Sequence, residues 1–261
     1  MTSTATTTKK LSVVPLRPED IPRCVDIYLS AFSDNAHSLA CFPRGAPAVR
    51  TFWEAMLREE MADPDAVFLK AVDAEDGEGE DEEEAAATRS EMELVAFAKW
   101  NRPKTRQEQH EQQDEEGEEE HEVQLPVWPA GADSQLCQST FGEWARAHHR
   151  IMGDRPHWYL EMLATDPAHQ GRGAGSRLLR YGCEQADRDG VEAYLEASPG
   201  GARMYHRHGF EEVGRHETDI RRRASATGGA EDGNGRGESY VNLYMIRQPS
   251  PTERSHQPSD T

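Results

Sequence analysis

The residues best suited to chemistry lie between positions 157 and 210. A run Gln170-Gly171-Arg172-Gly173-Ala174-Gly175-Ser176 follows the largely apolar stretch His157 to Thr165 and opens a segment of helical periodicity. Strand, glycine turn and helix in that order suit an anion such as a phosphate. Glycine lets the backbone approach closely, and several N–H groups converge where the helix dipole is positive. Glycine also serves wherever a turn needs positive φ, so the turn by itself leaves both readings open. Two carboxylates, Glu161 and Glu196, sit inside the flanking apolar segments. A carboxyl group in an apolar strand titrates high enough to act as a base near neutral pH, whereas one that faces solvent from the same strand does not.

Known phosphate-binding patterns narrow the choice. A P-loop needs a lysine and then serine or threonine after its spaced glycine, and here Gly175 is followed by Ser176 and Arg177. A dinucleotide turn wants a third glycine where Ser176 stands, with an acidic residue about 20 positions on. Glu196 is suitably placed for that role, but too few strand-helix units follow to complete a doubly wound sheet.

Apolar periodicity supplies the elements that must hold this region. Lys10 to Leu16 reads as a strand, followed by a helix capped by Asp20 with apolar positions Ile21, Cys24, Val25, Tyr28, Leu29 and Phe32. A second helix spans about 48–60. Strands follow at Val67–Val72 and Leu94–Trp100, then a helix over about 134–151 and the strand His157–Thr165. The helix after the glycine turn carries Leu178, Leu179, Gly182, Cys183 and Ala186 on one face and stops at Gly190, a suitable left-handed terminator. Val191–Ala197 is a strand, Ala202–His208 a short helix, and Phe210–Gly214 and Tyr240–Ile246 the last strands. These elements suffice for one domain over 11–247. Residues 1–10 and 248–261 read as disordered ends. A loop over about 32–48 and a flexible one over about 222–239 complete the outline.

The charge balance is extreme but local. Of 261 residues, 48 are acidic and 29 basic. Two stretches, 73–93 and 106–122, hold 18 of the 19 net negative charges, so the remainder is nearly neutral. They contain almost no apolar surface to bury and are expected to be disordered insertions at about 73–91 and 104–122. Repulsion of nucleic acid applies to these tracts alone, and a basic protein is a natural partner for them. The basic run Arg221-Arg222-Arg223 sits in a loop and suits solubility or contact with those tracts better than nucleic-acid binding. Four scattered cysteines lack metal or disulfide spacing, and the histidines lack carboxylate or cysteine partners at ligand spacing. No metal is expected. The absence of an apolar leader and of a run of about 18 apolar residues points to an intracellular, cytoplasmic protein, nuclear placement not being excluded, with no membrane partner.

The stretch Leu163-Ala-Thr-Asp-Pro-Ala-His-Gln-Gly-Arg-Gly-Ala-Gly-Ser176 resembles the GNAT superfamily of N-acetyltransferases. Its Gln/Arg-x-x-Gly-x-Gly/Ala motif is matched by Gln170, Gly173 and Gly175, and Tyr194–Pro199 and Met204–Phe210 resemble the family's following segments. Asp154–Leu160 and Leu195–Pro199 are also similar to a group of fungal members whose acceptors are mostly unassigned. The resemblance implies an α/β fold with a mixed, mostly antiparallel sheet flanked by helices and splayed at a central parallel strand pair. It implies transfer of acetyl from acetyl-CoA to a primary amine. Backbone groups of Leu163, Ala164 and Thr165 would then hold the pantetheine arm, and those of Gly171, Arg172, Gly173, Ala174, Gly175 and Ser176, with Gln170, the pyrophosphate. The Arg172 side chain either adds charge there or points to solvent. Tyr205 stands where the family places the tyrosine that protonates the leaving thiolate, unless it is simply packed on the sheet. Glu196 and Glu161 are both candidates for the base. The acceptor side would draw on the 32–48 loop, which has no signature. A protein that binds acyl-CoA without catalysis, or acts through its acidic tracts, is the alternative, and an NAD-dependent oxidoreductase a remote one.

Overall fold

The computed structural model describes residues 10–74, 92–104, 125–220 and 239–251. The acidic insertions, the 222–239 loop and the chain ends named above lie almost entirely outside the described residues. Seven strands among the described residues form one sheet, and helices cover both faces. In chain order they are β1 (Lys10–Pro15), α1 (Ile21–Ala31), α2 (Ala36–Cys41), α3 (Pro47–Glu60), β2 (Ala66–Ala74), β3 (Leu94–Asn101), α4 (Ser134–Met152), β4 (His157–Thr165), α5 (Ala174–Asp189), β5 (Glu192–Ala197), α6 (Ala202–Arg207), β6 (Glu211–Asp219) and β7 (Ser239–Arg247). The sheet runs β1-β2-β3-β4-β5-β7-β6. Every neighbouring pair is antiparallel except β4 with β5.

One core lies between the sheet and α5, where Leu178, Leu179 and Ala186 meet Trp100, Trp158 and Leu195. Gly182 is required there, since a Cβ would lie 2.2 Å from the Trp100 indole. The indole N–H donates to the Leu178 carbonyl at 3.3 Å, so the helix settles directly on the tryptophan. A second core joins α1, α3 and the start of α4 to the other face through Ile21, Trp53, Phe97 and Cys137. All four cysteines are buried and free. No helix among the described residues is long and apolar enough to cross a membrane.

Three details differ from the sequence expectation. Asp20 stands at the start of α1 without capping it; its carboxylate accepts from the Arg17 N–H and pairs with the buried Lys70 ammonium at 2.8 Å. The 32–48 loop contains α2, capped by Asn35, whose side chain accepts from the Ser38 N–H at 2.8 Å. β6 runs on from Gly214 to Asp219 as an edge strand. Its Arg215-His216-Glu217 sequence is too polar to read as a strand, and polar edges of this kind resist unwanted pairing.

A bulge sets the geometry of β4. Lys99 pairs with Met162 and Trp100 with Leu160, leaving Glu161 as the extra residue. An inserted residue bends a strand and shifts its alternation by one. Trp158 and Leu160 accordingly face α5, whereas Met162 and Ala164 face the α1–α3 side.

Candidate active site

β4 and β5 separate where the bulge lies. Their parallel pairing ends at Leu160 beside Leu195, while β4 continues along β3 to Thr165. Past that point no strand among the described residues lies on the β5 side of Leu163, Ala164 and Thr165. A cavity of about 850 Å³ occupies this wedge. It runs from the glycine turn, past Leu163–Thr165 and Tyr205, to Asn35 and Tyr240 on the far side.

The turn has the geometry that its glycines suggest. Gly171 and Gly173 have φ of 76° and 90°, in the left-handed region that disfavours any side chain, and neither is crowded by a neighbour. Gly173 is the N-cap of α5 and leaves the first-turn N–H groups of a 16-residue helix facing the cavity. At Gly175 a methyl would make only ordinary van der Waals contacts, with Thr165 Oγ1 at 3.4 Å and Met204 Sδ at 3.6 Å. The Gln170 amide reaches only to 3.5 Å from the Thr165 carbonyl. Arg172 is exposed, and its guanidinium pairs with Asp73, at the end of β2, through contacts of 2.5 and 3.1 Å and touches His169 Nδ1 at 2.9 Å.

Tyr205 on α6 lines the same cavity with its ring packed against Phe210. Burial pushes its phenol well above the ordinary value, so it holds its proton at neutral pH. Gly201, one turn earlier, has to be small, because a Cβ would come within 2.9 Å of the Tyr205 ring.

The two carboxylates have different surroundings. Glu196 is enclosed between β5 and β7, and its Oε2 accepts from the Tyr159 hydroxyl at 2.8 Å. Burial pushes its pKa up to about 7, with the Tyr159 and Tyr194 hydroxyls pulling the other way and Glu161 adding repulsion. It is therefore poised between charged and neutral near physiological pH. Glu161 is the bulged residue, and it faces a separate hollow of about 440 Å³ that also holds Lys99, His148 and His157. The Lys99 ammonium lies 2.7 Å from Glu161 and 3.1 Å from Glu60, and Asn101 donates to Glu161 at 2.7 Å. Burial works against the Lys99 charge, but the two carboxylates outweigh it and raise its pKa. One ammonium between two carboxylates leaves a surplus negative charge. Burial, and then the Glu161 charge, push Glu60 up to about 7.

Several residues of the cavity carried no signal in the sequence. Asn35 donates to the Tyr240 hydroxyl at 2.9 Å, and the Tyr240 ring stacks on buried His37 at 5.0 Å. Asp34, Ser198 and Met204 complete the wall. The one available hint was the spacing Tyr240, Asn242, Tyr244, which places polar and aromatic groups on one face of a strand. His148 and His157 meet through their Nε2 atoms at 2.6 Å. The His157 Nδ1–H is directed at the Arg155 carbonyl, so the pair shares a single hydrogen bond.

A helix N-terminus and a bulged strand that opens from its parallel neighbour are thus joined by one cavity in an α/β protein. The chain belongs to the acetyltransferase (GNAT) family, whose sequence model matches residues 53–210. Members of this family take acetyl from acetyl-CoA. The fold is similar to that of a histone acetyltransferase HPA2 and related acetyltransferase from Corynebacterium glutamicum, with 22% identity over 93% of this chain and 98% of that one and a TM-score of 0.52. It is also similar to an agmatine N-acetyltransferase, with 14% identity over 91% of this chain and 99% of that one and a TM-score of 0.54.

Proposed function

We propose that this protein transfers an acetyl group from acetyl-CoA to a primary amine by direct attack of the amine on the thioester. The observation that carries the reading is the single cavity of about 850 Å³ joining the α5 N-terminus, the open side of Leu163–Thr165 and Tyr205. The N–H groups from Gly171 to Ser176 suit the pyrophosphate. The unpaired backbone of Leu163, Ala164 and Thr165 suits the pantetheine arm, and an N–H there polarises the acetyl carbonyl. As the amine nitrogen bonds to the carbonyl carbon and the C–S bond breaks, the amine loses a proton and the thiolate gains one.

Glu196 is the group we assign to the first proton, directly or through water. It is ionised in part at neutral pH, with the Tyr159 and Tyr194 hydroxyls favouring its carboxylate against the effect of burial. Glu161 suits the role less well, since its charge is committed to Lys99. Tyr205, protonated and lining the cavity, is assigned the second proton. Arg172 acts on the turn through Asp73, and we give it no direct contact with phosphate.

Calorimetric titration with acetyl-CoA, CoA and NAD tests the donor half, and thiol release in the presence of amines tests the transfer. The expected results are saturable binding of acetyl-CoA that Gly173→Glu removes, and amine-dependent release of CoA. Absence of acetyl-CoA binding, or a preference for NAD, overturns the reading.

A further inference from the structure

Two arginines beside the glycine turn stand without carboxylates. Others around the same helices are held: Arg23 by Asp166, Arg172 by Asp73 and Arg247 by Asp187. Arg180 on α5 and Arg207 on α6 are exposed, and among the described residues neither guanidinium has a hydrogen bond or an ion pair. The chain as a whole carries a net charge of −19, so a carboxylate partner is not in short supply. Water can solvate an exposed guanidinium, but these two also share a place.

That place is the edge of the cavity next to α5. Among the described residues, Asp34 and Arg207 are the only charged ones in the cavity lining. A Cβ at Gly175 would lie 3.6 Å from Met204 Sδ, so α6 touches α5 at its first turn. Arg207 follows Met204 by three residues and lies on the same face of α6, one turn on. Arg180 follows Ser176, itself a lining residue, by four, which puts it on the same stripe of α5 about 6 Å along the axis. The two side chains converge on His208. Burial, and then the charges of Arg180, Arg207 and Arg247, hold its imidazole below the ordinary value. Of these three cations Arg247 is answered by Asp187, which leaves Arg180 and Arg207.

We infer that Arg180 and Arg207 bind the 3′-phosphate on the ribose of the donor, so that the protein distinguishes CoA from its 3′-dephospho form. The inference rests on the acetyl-transfer reading and specifies its donor. The N–H groups from Gly171 to Ser176 suit one pyrophosphate, and the positive pole of the helix fades within the first turn. The third phosphate of the donor stands across a ribose from that pyrophosphate, and the two arginines stand beyond the first turn. A phosphate monoester carries close to two negative charges at neutral pH, which two guanidinium groups balance. Each guanidinium can meet phosphate oxygens through a pair of N–H···O bonds, a geometry that a lysine would not reproduce.

The test is calorimetric titration of the full chain with CoA and with 3′-dephospho-CoA, which differ by this phosphate alone. Wild type is expected to bind CoA more tightly by about tenfold or more. Arg207→Gln and Arg180→Gln should each weaken CoA by about threefold or more, leave 3′-dephospho-CoA unchanged, and together close the gap. Both side chains are exposed, so the Tm of each variant should match that of wild type. Arg188→Gln removes the same charge from the last turn of α5 and should alter neither affinity. Equal affinities in wild type, a gap that survives the double variant, variants that weaken both ligands alike, or an equal effect of Arg188→Gln overturn the inference and leave the donor site intact. No binding of either ligand overturns the inference together with the acetyl-transfer reading.

Discussion

Replacing Glu196 by glutamine separates its chemical role from its electrostatic cost. The side chain keeps its volume, and the Tyr159 hydroxyl still finds a carbonyl oxygen to donate to. The wild-type carboxyl is raised from 4.5 to about 7 by burial. The folded protein therefore binds a proton between those values that the unfolded chain has already released, and stability falls as pH rises through the window. At about 1.36 kcal/mol per pH unit, the loss by pH 8 is on the order of 3 kcal/mol. Below pH 4.5 both states are protonated and the term vanishes. Urea unfolding at several pH values between 4.5 and 8 measures the effect. Wild type and Glu196→Gln should be similar in stability at the acidic end and diverge by about 3 kcal/mol at pH 8, the variant being the more stable. The same variant should lose about 10²-fold or more in kcat with little change in acetyl-CoA affinity. Parallel stability curves across the range would refute the burial argument, and an undiminished kcat would refute the role as base.

Other perturbations read neighbouring parts of the site. Tyr159→Phe removes a hydrogen bond that favours the Glu196 carboxylate, so the acidic limb of the kcat/KM profile, centred near 7 in wild type, should move to higher pH. Gly173→Ala places a side chain at φ 90° with nothing to crowd it, so its cost is conformational, about 1–2 kcal/mol; calorimetry should show a lower Tm and weaker acetyl-CoA binding together. Gly182→Ala drives a methyl into the Trp100 indole and should cost about 1–3 kcal/mol by overpacking, with an altered tryptophan fluorescence spectrum reporting the displaced helix.

How much could be read from sequence depended on distance along the chain. β4, the glycine turn and α5 are consecutive, their periodicities are strong, and their limits from sequence agree closely with the structure. The mixed sheet with its central parallel pair follows from the same segment through its family resemblance. α2 escaped notice because six residues are too few for a helical pattern to declare itself, and Asn35 looks like any loop asparagine until its side chain is seen to cap. The setting of Glu196 depends on Tyr159, 37 positions earlier, and Arg172 finds its partner 99 positions away in Asp73. Neither spacing carries a local signature. The helix over 134–151 was legible as a helix, but nothing in its own residues says that it roofs β5 and β7.

The bulge at Glu161 also divides the backbone amides of one strand into two populations. In a strand, successive N–H groups point to opposite edges. Beyond Leu160 those directed toward β3 remain in the ladder, while those directed toward β5 open into the wedge. Deuterium uptake along Leu163–Thr165 should therefore alternate between slow and fast from one residue to the next, in the middle of a well-packed sheet. A ligand lying in the wedge would slow the fast positions and leave the others as they were, so this short segment reports occupancy of the cleft without any label.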